Sequence, residues 1–299
     1  MSATPRVVVV TRPTELEQLL ARHGTREQAR FRLRAAGSDV LDAAEERHAA
    51  MDRALTSVSQ AIPTRWRRSR IDRAALARFV WEPNDLVVAV GQDGLVANVA
   101  KYLAGQLVIG LNPDPTRFDG VLVKHSVDRL PMLLGRAAER RVSVESRSLV
   151  EARVDDGQVL RALNEVFVGH RSHQSARYRI RVRGAEERHS SSGLIVATGT
   201  GATGWARSIA FSRNGAVALP NATDERLAFF VREAFPSRAT GTSITQGQLA
   251  AGEELTLVSE LDEGGVVFGD GIEDDRLRVG WGQVVSVRRA PDKLNLVTG

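Results

Sequence analysis

One stretch in the first third of the chain constrains the fold more than any other. Residues 85–90 are almost continuously apolar, residues 91–94 read Gly-Gln-Asp-Gly, residues 95–104 have a helical pattern, and residues 106–111 form a second apolar run. A strand, a turn, a helix and a second strand in this order predict a βαβ unit with parallel strands. Such a unit places the turn after its first strand at the carboxyl edge of the sheet, where open α/β folds bind ligands.

The two halves of the 299-residue chain have different patterns, and this length is enough for two hydrophobic cores. Strand-like and helix-like stretches alternate up to about residue 141, whereas short alternating strands and turns dominate from residue 142 onward. We therefore predict an α/β plus all-β protein, with a Rossmann-like α/β domain at residues 1–141 and a β-rich sandwich domain at residues 142–299. Within the second domain, residues 159–168 are expected to form one strand.

The composition excludes several classes of protein. Cysteine is absent, which excludes disulfides, thiolate zinc sites, iron–sulfur clusters and a cysteine nucleophile. The longest apolar runs are far shorter than the roughly 20 residues that a membrane-spanning helix needs. Residues 1–20 lack the basic start, long apolar centre and cleavage site of a signal peptide. We therefore expect a cytoplasmic protein without a membrane partner.

The charge pattern gives little support to nucleic-acid binding. The chain has 41 basic and 36 acidic residues, a formal net charge of +5. Its densest basic run, residues 65–70, contains one aromatic residue and lies in no recognisable nucleic-acid-binding module. This pattern favours a solvated connecting segment, and we expect no nucleic-acid partner.

The acidic residues 273–275 are typical of a hairpin tip. His170 and His173 lack a third ligand for a metal site.

The turn at residues 91–94 is the first candidate site. Gly91 and Gly94 allow backbone amides to approach a phosphate closely, and the start of the following helix adds N–H donors and positive potential. The carboxylate of Asp93 is suited to accept a proton from a hydroxyl group. An ordinary Gly-Asp-Gly turn is the alternative, and these four residues alone leave both interpretations open.

Two segments of the second half form the second candidate site. Residues 199–205 contain three glycines and follow an apolar strand, so their backbone is able to approach a ligand closely. Asn164 and Glu165 are polar in the middle of an apolar run. A polar pair in such a position needs buried partners or a ligand.

These segments, taken in order, resemble the NAD kinase family. In that family a Gly-Gly-Asp-Gly-Thr loop is followed by an Asn-Glu or Asn-Asp pair, by a strand and loop reading Asp-Gly-Leu-Ile-Val-Ser-Thr-Pro-Thr-Gly-Ser-Thr-Ala-Tyr, and later by Asp-Gly-Gln. The counterparts here are residues 91–95, 162–166, 192–205 and 270–272. The resemblance covers roughly residues 84–290 and implies an α/β domain beside a β-rich domain, with the active site between them.

The resemblance also implies a role for particular residues. Asp93 is implied to be the base that accepts the proton of the 2′-hydroxyl of the adenosine ribose of NAD. Trp205 is implied to stack on a ring of the dinucleotide. The residues implied to contact the nucleotides are Gly91, Gln92, Gly94 and Leu95 for the ATP phosphates, and Asn164, Glu165, Thr203, Gly204, Trp205 and Ser208 for the dinucleotide.

The implied function is the transfer of a phosphoryl group from ATP or polyphosphate to NAD, which gives NADP. Magnesium is implied as the ion carried by ATP, without a dedicated site in the protein. A homodimer or homotetramer is implied as the assembly. Small-molecule nucleotides are therefore the expected partners.

Two departures from the family pattern, both in the segment at residues 91–95, keep alternatives open. Gln92 stands where the family has its second glycine, and Leu95 stands where it has threonine. These changes argue for a dinucleotide-binding protein with impaired catalysis. Because a Gly-Asp-Gly loop also occurs in diacylglycerol-type kinases, a kinase acting on a lipid or sugar hydroxyl is a further alternative. The Asn164-Glu165 pair and the loop at residues 199–205 favour the dinucleotide.

Overall fold

The computed structural model describes residues 4–33, 39–215 and 217–299. The chain divides into two compact units. Unit 1 comprises Met1–Glu145 together with Asn295–Gly299, and unit 2 comprises Ser146–Leu294. The division lies close to residue 141, where the sequence pattern changes. The assignment of ATP to the first half and of the dinucleotide to the second stays a prediction.

The secondary structure of unit 1 alternates between strands and helices, and that of unit 2 consists mainly of strands. The helices are α1 (Glu15–His23), α2 (Arg26–Leu33), α3 (Asp39–Ala61), α4 (Asp93–Ala100), α5 (Leu130–Ala138) and α6 (Trp205–Ser212). The strands are β1 (Arg6–Thr11), β2 (Arg67–Asp72), β3 (Leu86–Val90), β4 (Leu107–Leu111), β5 (Val144–Val154), β6 (Val159–Ala162), β7 (Glu165–His170), β8 (Ala176–Val182), β9 (Ala185–Ser191), β10 (Leu194–Ala197), β11 (Leu227–Val231), β12 (Gln246–Leu249), β13 (Glu254–Ser259), β14 (Gly265–Gly269), β15 (Ile272–Val279) and β16 (Val284–Val297).

Unit 1 is built on a parallel sheet with the strand order β2-β1-β3-β4. Asn295 and Leu296, near the end of β16, pair in parallel with β4. Every residue of β3 is buried, as expected for a strand of a parallel sheet that is covered on both faces. Val58 of α3 and Leu133 of α5 belong to the same buried cluster as alternate residues of the sheet. The predicted α/β domain, with its βαβ unit, is therefore confirmed.

The basic run at residues 65–70 has a different structure from the one predicted. Arg67–Asp72 forms β2, which pairs with β1 at the edge of the parallel sheet. An edge strand tolerates charged side chains because one of its sides is open to solvent. The guanidinium of Arg67 pairs with Glu82 at 2.6 Å. The prediction of a connecting segment was therefore wrong.

Unit 2 consists of two facing sheets. One is antiparallel, with the order β12-β11-β10-β7-β14-β15. In the other, β9, β8, β13 and β16 are neighbours in this order, and β5 pairs with both β16 and β6. Val196 and Phe229 from the first sheet lie in one buried cluster with Ile180 and Leu257 from the second. This confirms the predicted β-rich sandwich.

Two details of unit 2 differ from the prediction. The expected strand at residues 159–168 is two strands, β6 and β7, which are separated by Leu163 and Asn164. The acidic residues 273–275 lie within β15 at the edge of its sheet, so the prediction of a hairpin tip there was wrong. The tip is formed by Asp270 and Gly271, whose φ angles are +54° and +68°.

In the described ranges, with their gaps at 1–3, 34–38 and 216, none of the helices has the length and apolar character needed to cross a membrane.

Candidate functional site

The turn at residues 91–94 joins β3 to α4 in unit 1, as the sequence predicts. The N–H of Gly91 donates to the carbonyl of Leu111 at 3.0 Å, which ties the turn to the end of β4. Gly94 has open space where a Cβ atom would stand, with nothing within 4 Å. The backbone at Gly94 is therefore accessible to a ligand.

Asp93 uses its carboxylate to organise a neighbouring segment. Its two oxygens accept hydrogen bonds from the backbone N–H groups of Val121 at 2.9 Å, Leu122 at 2.7 Å and Val123 at 3.1 Å. An ionised carboxylate has about four acceptor positions. Beside these three partners from the described residues, one position remains for a ligand hydroxyl. The side chain therefore combines a structural role with the capacity to accept a proton.

The two departures in the turn at residues 91–95, Gln92 and Leu95, have different surroundings. The side chain of Leu95 is 0% exposed, and its N–H donates to the carbonyl of Gln92 at 2.9 Å. The side chain of Leu95 thus belongs to the interior of unit 1. It is not available for the predicted contact with a phosphate, which leaves only the backbone of Leu95 for that role. In contrast, the amide oxygen Oε1 of Gln92 accepts a hydrogen bond from Nη2 of Arg12 at 2.6 Å.

Arg12 was not predicted as a site residue. It follows β1 directly, and it lines a cavity of about 480 Å³ in unit 1 together with Gly91, Gln92 and Pro113. The carboxyl ends of three parallel strands, β1, β3 and β4, thus lead to this cavity. A signal was present in the sequence, because a cation directly after a buried parallel strand lies at the edge where such sheets bind ligands.

In unit 2, Asp270 holds the Asn164-Glu165 pair in place. The carboxylate of Asp270 accepts hydrogen bonds from the N–H groups of Leu163 at 3.0 Å and Asn164 at 2.7 Å. The N–H of Asp270 donates to the carbonyl of Glu165 at 3.1 Å. The structure therefore brings together the Asn-Glu pair and the Asp-Gly motif, two segments that the resemblance to NAD kinases also singles out.

The glycine-rich loop packs closely against the same pair. The N–H of Thr198 donates to the carbonyl of Asn164 at 2.9 Å. A Cβ atom at Gly201 would lie 2.1 Å from that carbonyl oxygen, and a Cβ atom at Gly199 would lie 1.7 Å from the carbonyl oxygen of Asn221. These two glycines are required by close backbone packing, which fixes the loop beside Asn164.

Glu165 is the titratable group of unit 2 with the strongest indication of a ligand. Its side chain is half-buried and, in the part of the chain that the structure describes, makes no hydrogen bond or ion pair. Burial, and then the negative charge of Asp270, raise the pKa of the Glu165 carboxyl to about 7. The carboxyl group is therefore able to accept or donate a hydrogen bond near neutral pH.

Trp205 opens α6 beside an aromatic cluster. Its ring stacks on Phe167 with 6.1 Å between the ring centroids and 13° between the planes, and the guanidinium of Arg232 lies 5.2 Å from its centroid. All three residues line a cavity of about 460 Å³ in unit 2. The predicted contact of Trp205 with a ligand ring stays a prediction.

Three smaller residues predicted to hold the dinucleotide lie around the start of α6. Thr203, Gly204 and Ser208 are exposed. The hydroxyl of Thr203 donates to the carbonyl of Thr200 at 3.0 Å. Arg147 was not predicted as part of this region, although its buried guanidinium donates to the Thr200 hydroxyl at 3.4 Å. No sequence signal marks Arg147, because it lies far from the loop along the chain.

Among the described residues, no group of three or more His, Asp or Glu side chains is placed to hold a metal ion. The chemistry that these residues offer is hydrogen bonding, proton transfer and charge. With respect to the described residues of each unit, Asp93 offers one free acceptor position in unit 1, and Glu165 offers an unpartnered carboxyl in unit 2.

The chain is similar to known proteins in sequence and in structure. No protein-family model matches the chain. The sequence is 25% identical over 219 residues to an NAD kinase of Chlorobaculum tepidum, a match that covers 71% of this chain and 71% of that protein. It is 29% identical over 129 residues to an NAD kinase of Methanospirillum hungatei JF-1, with 42% of this chain and 46% of the relative covered.

A crystal structure of yeast NADH kinase complexed with NADH matches with a TM-score of 0.58 at 15% sequence identity, covering 100% of this chain and 84% of that one. The protein therefore has the fold of this class of kinases, an α/β domain followed by a β-rich domain. The two sequence relatives are NAD kinases, and together with the fold they confirm the resemblance to the NAD kinase family.

Proposed function

We propose that this protein is an NAD kinase-like phosphotransferase. It moves a phosphoryl group from ATP or inorganic polyphosphate to the 2′-hydroxyl of the adenosine ribose of NAD, which gives NADP. The observation that carries the proposal is the Asn164-Glu165 pair, whose half-buried side chains make no hydrogen bond with the residues that the structure describes. Desolvated polar groups of this kind are stabilised by a polar ligand.

The chemistry of the pair fits a dinucleotide. Near neutral pH the Glu165 carboxyl, with its pKa of about 7, is able both to accept hydrogen bonds from the hydroxyl groups of a ribose and to donate one. The carboxamide of Asn164 also both donates and accepts. The backbone of Asn164 is fixed by Asp270 and by Thr198, so both side chains start from a rigid position. A preorganised pair loses little entropy when it binds a ligand.

The reaction requires one bond to form and one to break. The ribose 2′-oxygen forms a bond to the terminal phosphorus of the donor, and the phosphoanhydride bond to that phosphorus breaks. The leaving group is ADP when ATP is the donor, and a chain shorter by one phosphate when polyphosphate is the donor. The hydroxyl proton passes to the remaining acceptor position of Asp93. Magnesium enters as the complex with ATP and neutralises phosphate charge.

A second function is favoured by a specific observation. The carboxylate of Asp93 already accepts three backbone hydrogen bonds, a role that needs no catalysis. A dinucleotide-binding protein without phosphotransferase activity would keep Asp93 for this reason alone. The two functions differ in whether NADP is formed.

An assay for NADP separates the two functions. Purified protein is incubated with NAD, magnesium and either ATP or polyphosphate, and NADP is measured with a dehydrogenase specific for NADP. The phosphotransferase produces NADP, and Asp93→Asn lowers the rate about 100- to 10,000-fold, as expected for loss of a general base. Asp262→Asn, which changes an exposed carboxylate of unit 2, is the matched control with unchanged activity. Binding of NAD without NADP formation supports the second function, and failure to bind NAD contradicts both.

A further inference from the structure

The charged side chains that line the cavity of about 480 Å³ in unit 1 differ in whether they form an ion pair. Two carboxylates line it, and each has its own arginine. Glu15 forms an ion pair with Arg47, and Asp114 forms one with Arg117 at 3.4 Å. The Asp114 carboxylate also accepts a hydrogen bond from the hydroxyl of Thr116 at 2.6 Å. These acidic groups are therefore neutralised locally.

Arg12 is the lining cation that lacks such a partner. Over residues 4–33, 39–215 and 217–299, no carboxylate lies within ion-pair distance of its half-buried guanidinium. A second arginine adds to the positive charge, because Thr11 and Asp72 are paired in register and the residues that follow them are Arg12 and Arg73. Burial, and then the charge of Arg73, lower the pKa of Arg12. Arginine keeps its charge in spite of such a shift.

Gln92 orients Arg12 without cancelling its charge. The amide oxygen of Gln92 accepts one N–H of the guanidinium at 2.6 Å. A guanidinium has five N–H donors, so four remain for a ligand. A carboxylate in the place of Gln92 would form an ion pair and remove the positive charge, and a glycine would leave the long arginine side chain without a fixed orientation.

We propose that Gln92 and Arg12 form the binding site for the phosphate chain of the donor, with Gln92 as a positioning residue that aims the guanidinium into the cavity. This inference rests on the proposed function, which is the reason to regard the bound phosphate chain as a phosphoryl donor. The ligand chemistry is a linear run of phosphates joined by anhydride bonds, present in both ATP and inorganic tripolyphosphate. Gln92, which stands where the family has its second glycine, is then an adaptation for binding phosphate and does not block the turn at residues 91–94.

Direct binding measurements test this inference without depending on turnover. Tripolyphosphate and ATP, each with magnesium, are titrated calorimetrically into the wild type, Gln92→Glu, Gln92→Gly and Gln60→Glu. The last variant adds the same negative charge at an exposed position of α3 and is the matched control. We expect Gln92→Glu to bind tripolyphosphate about 10- to 100-fold more weakly, the effect of losing a charge-assisted contact, and Gln60→Glu to bind as the wild type does. Equal affinities for the two probes identify the phosphate chain as the recognised group, and tighter binding of ATP identifies a nucleotide donor.

Gln92→Gly gives the sharpest result. If Gln92 positions Arg12, the change to the family residue weakens tripolyphosphate binding several-fold. If Gln92 instead obstructs the phosphate loop, the same change strengthens binding, which overturns the proposal. Binding of neither probe by the folded wild type also overturns it. Thermal unfolding of each variant shows that the fold is kept.

The outcomes of this test and of the NADP assay are independent. Loss of tripolyphosphate binding in Gln92→Glu, in a protein that never forms NADP, supports the site and contradicts the proposed function. Formation of NADP with the same KM for the donor in the wild type and Gln92→Glu supports the function and contradicts the site. The same pattern of loss in both measurements supports both.

Discussion

Glu165 lies beside Asp270, whose negative charge adds to the effect of burial and raises the pKa of the Glu165 carboxyl to about 7. In the unfolded chain the pKa of the same group has its ordinary value of 4.5. The folded protein therefore holds the Glu165 proton more tightly than the unfolded chain does between pH 4.5 and about 7.

The pH dependence of stability follows from this difference. Because the folded state binds the extra proton, the free energy of unfolding falls as the pH rises through this range, by about 2–3 kcal/mol for this group. Glu165→Gln removes the contribution, so the variant gains stability relative to the wild type between pH 5 and pH 8. Urea unfolding at both pH values measures the gain. A difference between variant and wild type that is the same at both pH values would contradict this account, and Glu263→Gln, at an exposed position of unit 2, is the control.

Asp270→Asn tests the cause of the raised pKa. The change removes the negative charge that faces Glu165, so the pKa of Glu165 falls. Burial is the larger cause, and the pKa therefore stays above its ordinary value. A carbon-detected NMR titration of the Glu165 carboxyl measures the shift. An unchanged titration midpoint would show that Asp270 has no electrostatic effect on Glu165.

Asp93→Asn is expected to lower stability as well as activity. One oxygen becomes an NH₂ group, so one of the N–H groups of residues 121–123 loses its acceptor and faces a donor. The expected cost is about 1–3 kcal/mol in the free energy of unfolding. Denaturant unfolding measures this cost, and a variant as stable as the wild type would show that the lost hydrogen bond contributes nothing to stability.

Gly201→Ala tests the packing of the glycine-rich loop. A Cβ atom there would lie 2.1 Å from the carbonyl oxygen of Asn164, so the loop must move away from the Asn-Glu pair. We expect a loss of about 1–3 kcal/mol in stability and weaker binding of NAD. Gly280→Ala is the matched control in unit 2, because its nearest neighbour lies at 3.5 Å. Wild-type affinity for NAD in Gly201→Ala would separate the loop from the binding site.

The elements predicted correctly have signals that are local in the sequence. The apolar run of β3 and the turn at residues 91–94 predict a parallel strand followed by a helix, and the structure contains both. Strand β11, Leu227–Val231, is also a continuous apolar run, but such short runs do not distinguish a strand from a buried helical segment, and it was not predicted.

The surroundings of the site residues depended on contacts between distant parts of the chain. The hydrogen bonds of Asp93 reach residues 28 to 30 positions away, and the bond between Arg12 and Gln92 joins residues 80 positions apart. No periodicity or turn signal specifies such partners. The position of the polar Asn164-Glu165 pair inside an apolar run, together with the family resemblance, identified both residues as candidates. That their side chains have no partner among the described residues, and that Asp270 is their neighbour, is visible only in the folded chain.

A calorimetric titration of NAD into the folded wild type and into the double variant Asn164→Ala, Glu165→Ala tests most directly whether unit 2 holds the dinucleotide. We predict saturable binding of NAD by the wild type and at least about tenfold weaker binding by the double variant, since two polar contacts to the dinucleotide are lost. Circular dichroism confirms that both proteins are folded. No measurable binding of NAD or NADP by the wild type at millimolar concentration, or equal binding by the two proteins, would contradict the assignment of unit 2 as the dinucleotide site.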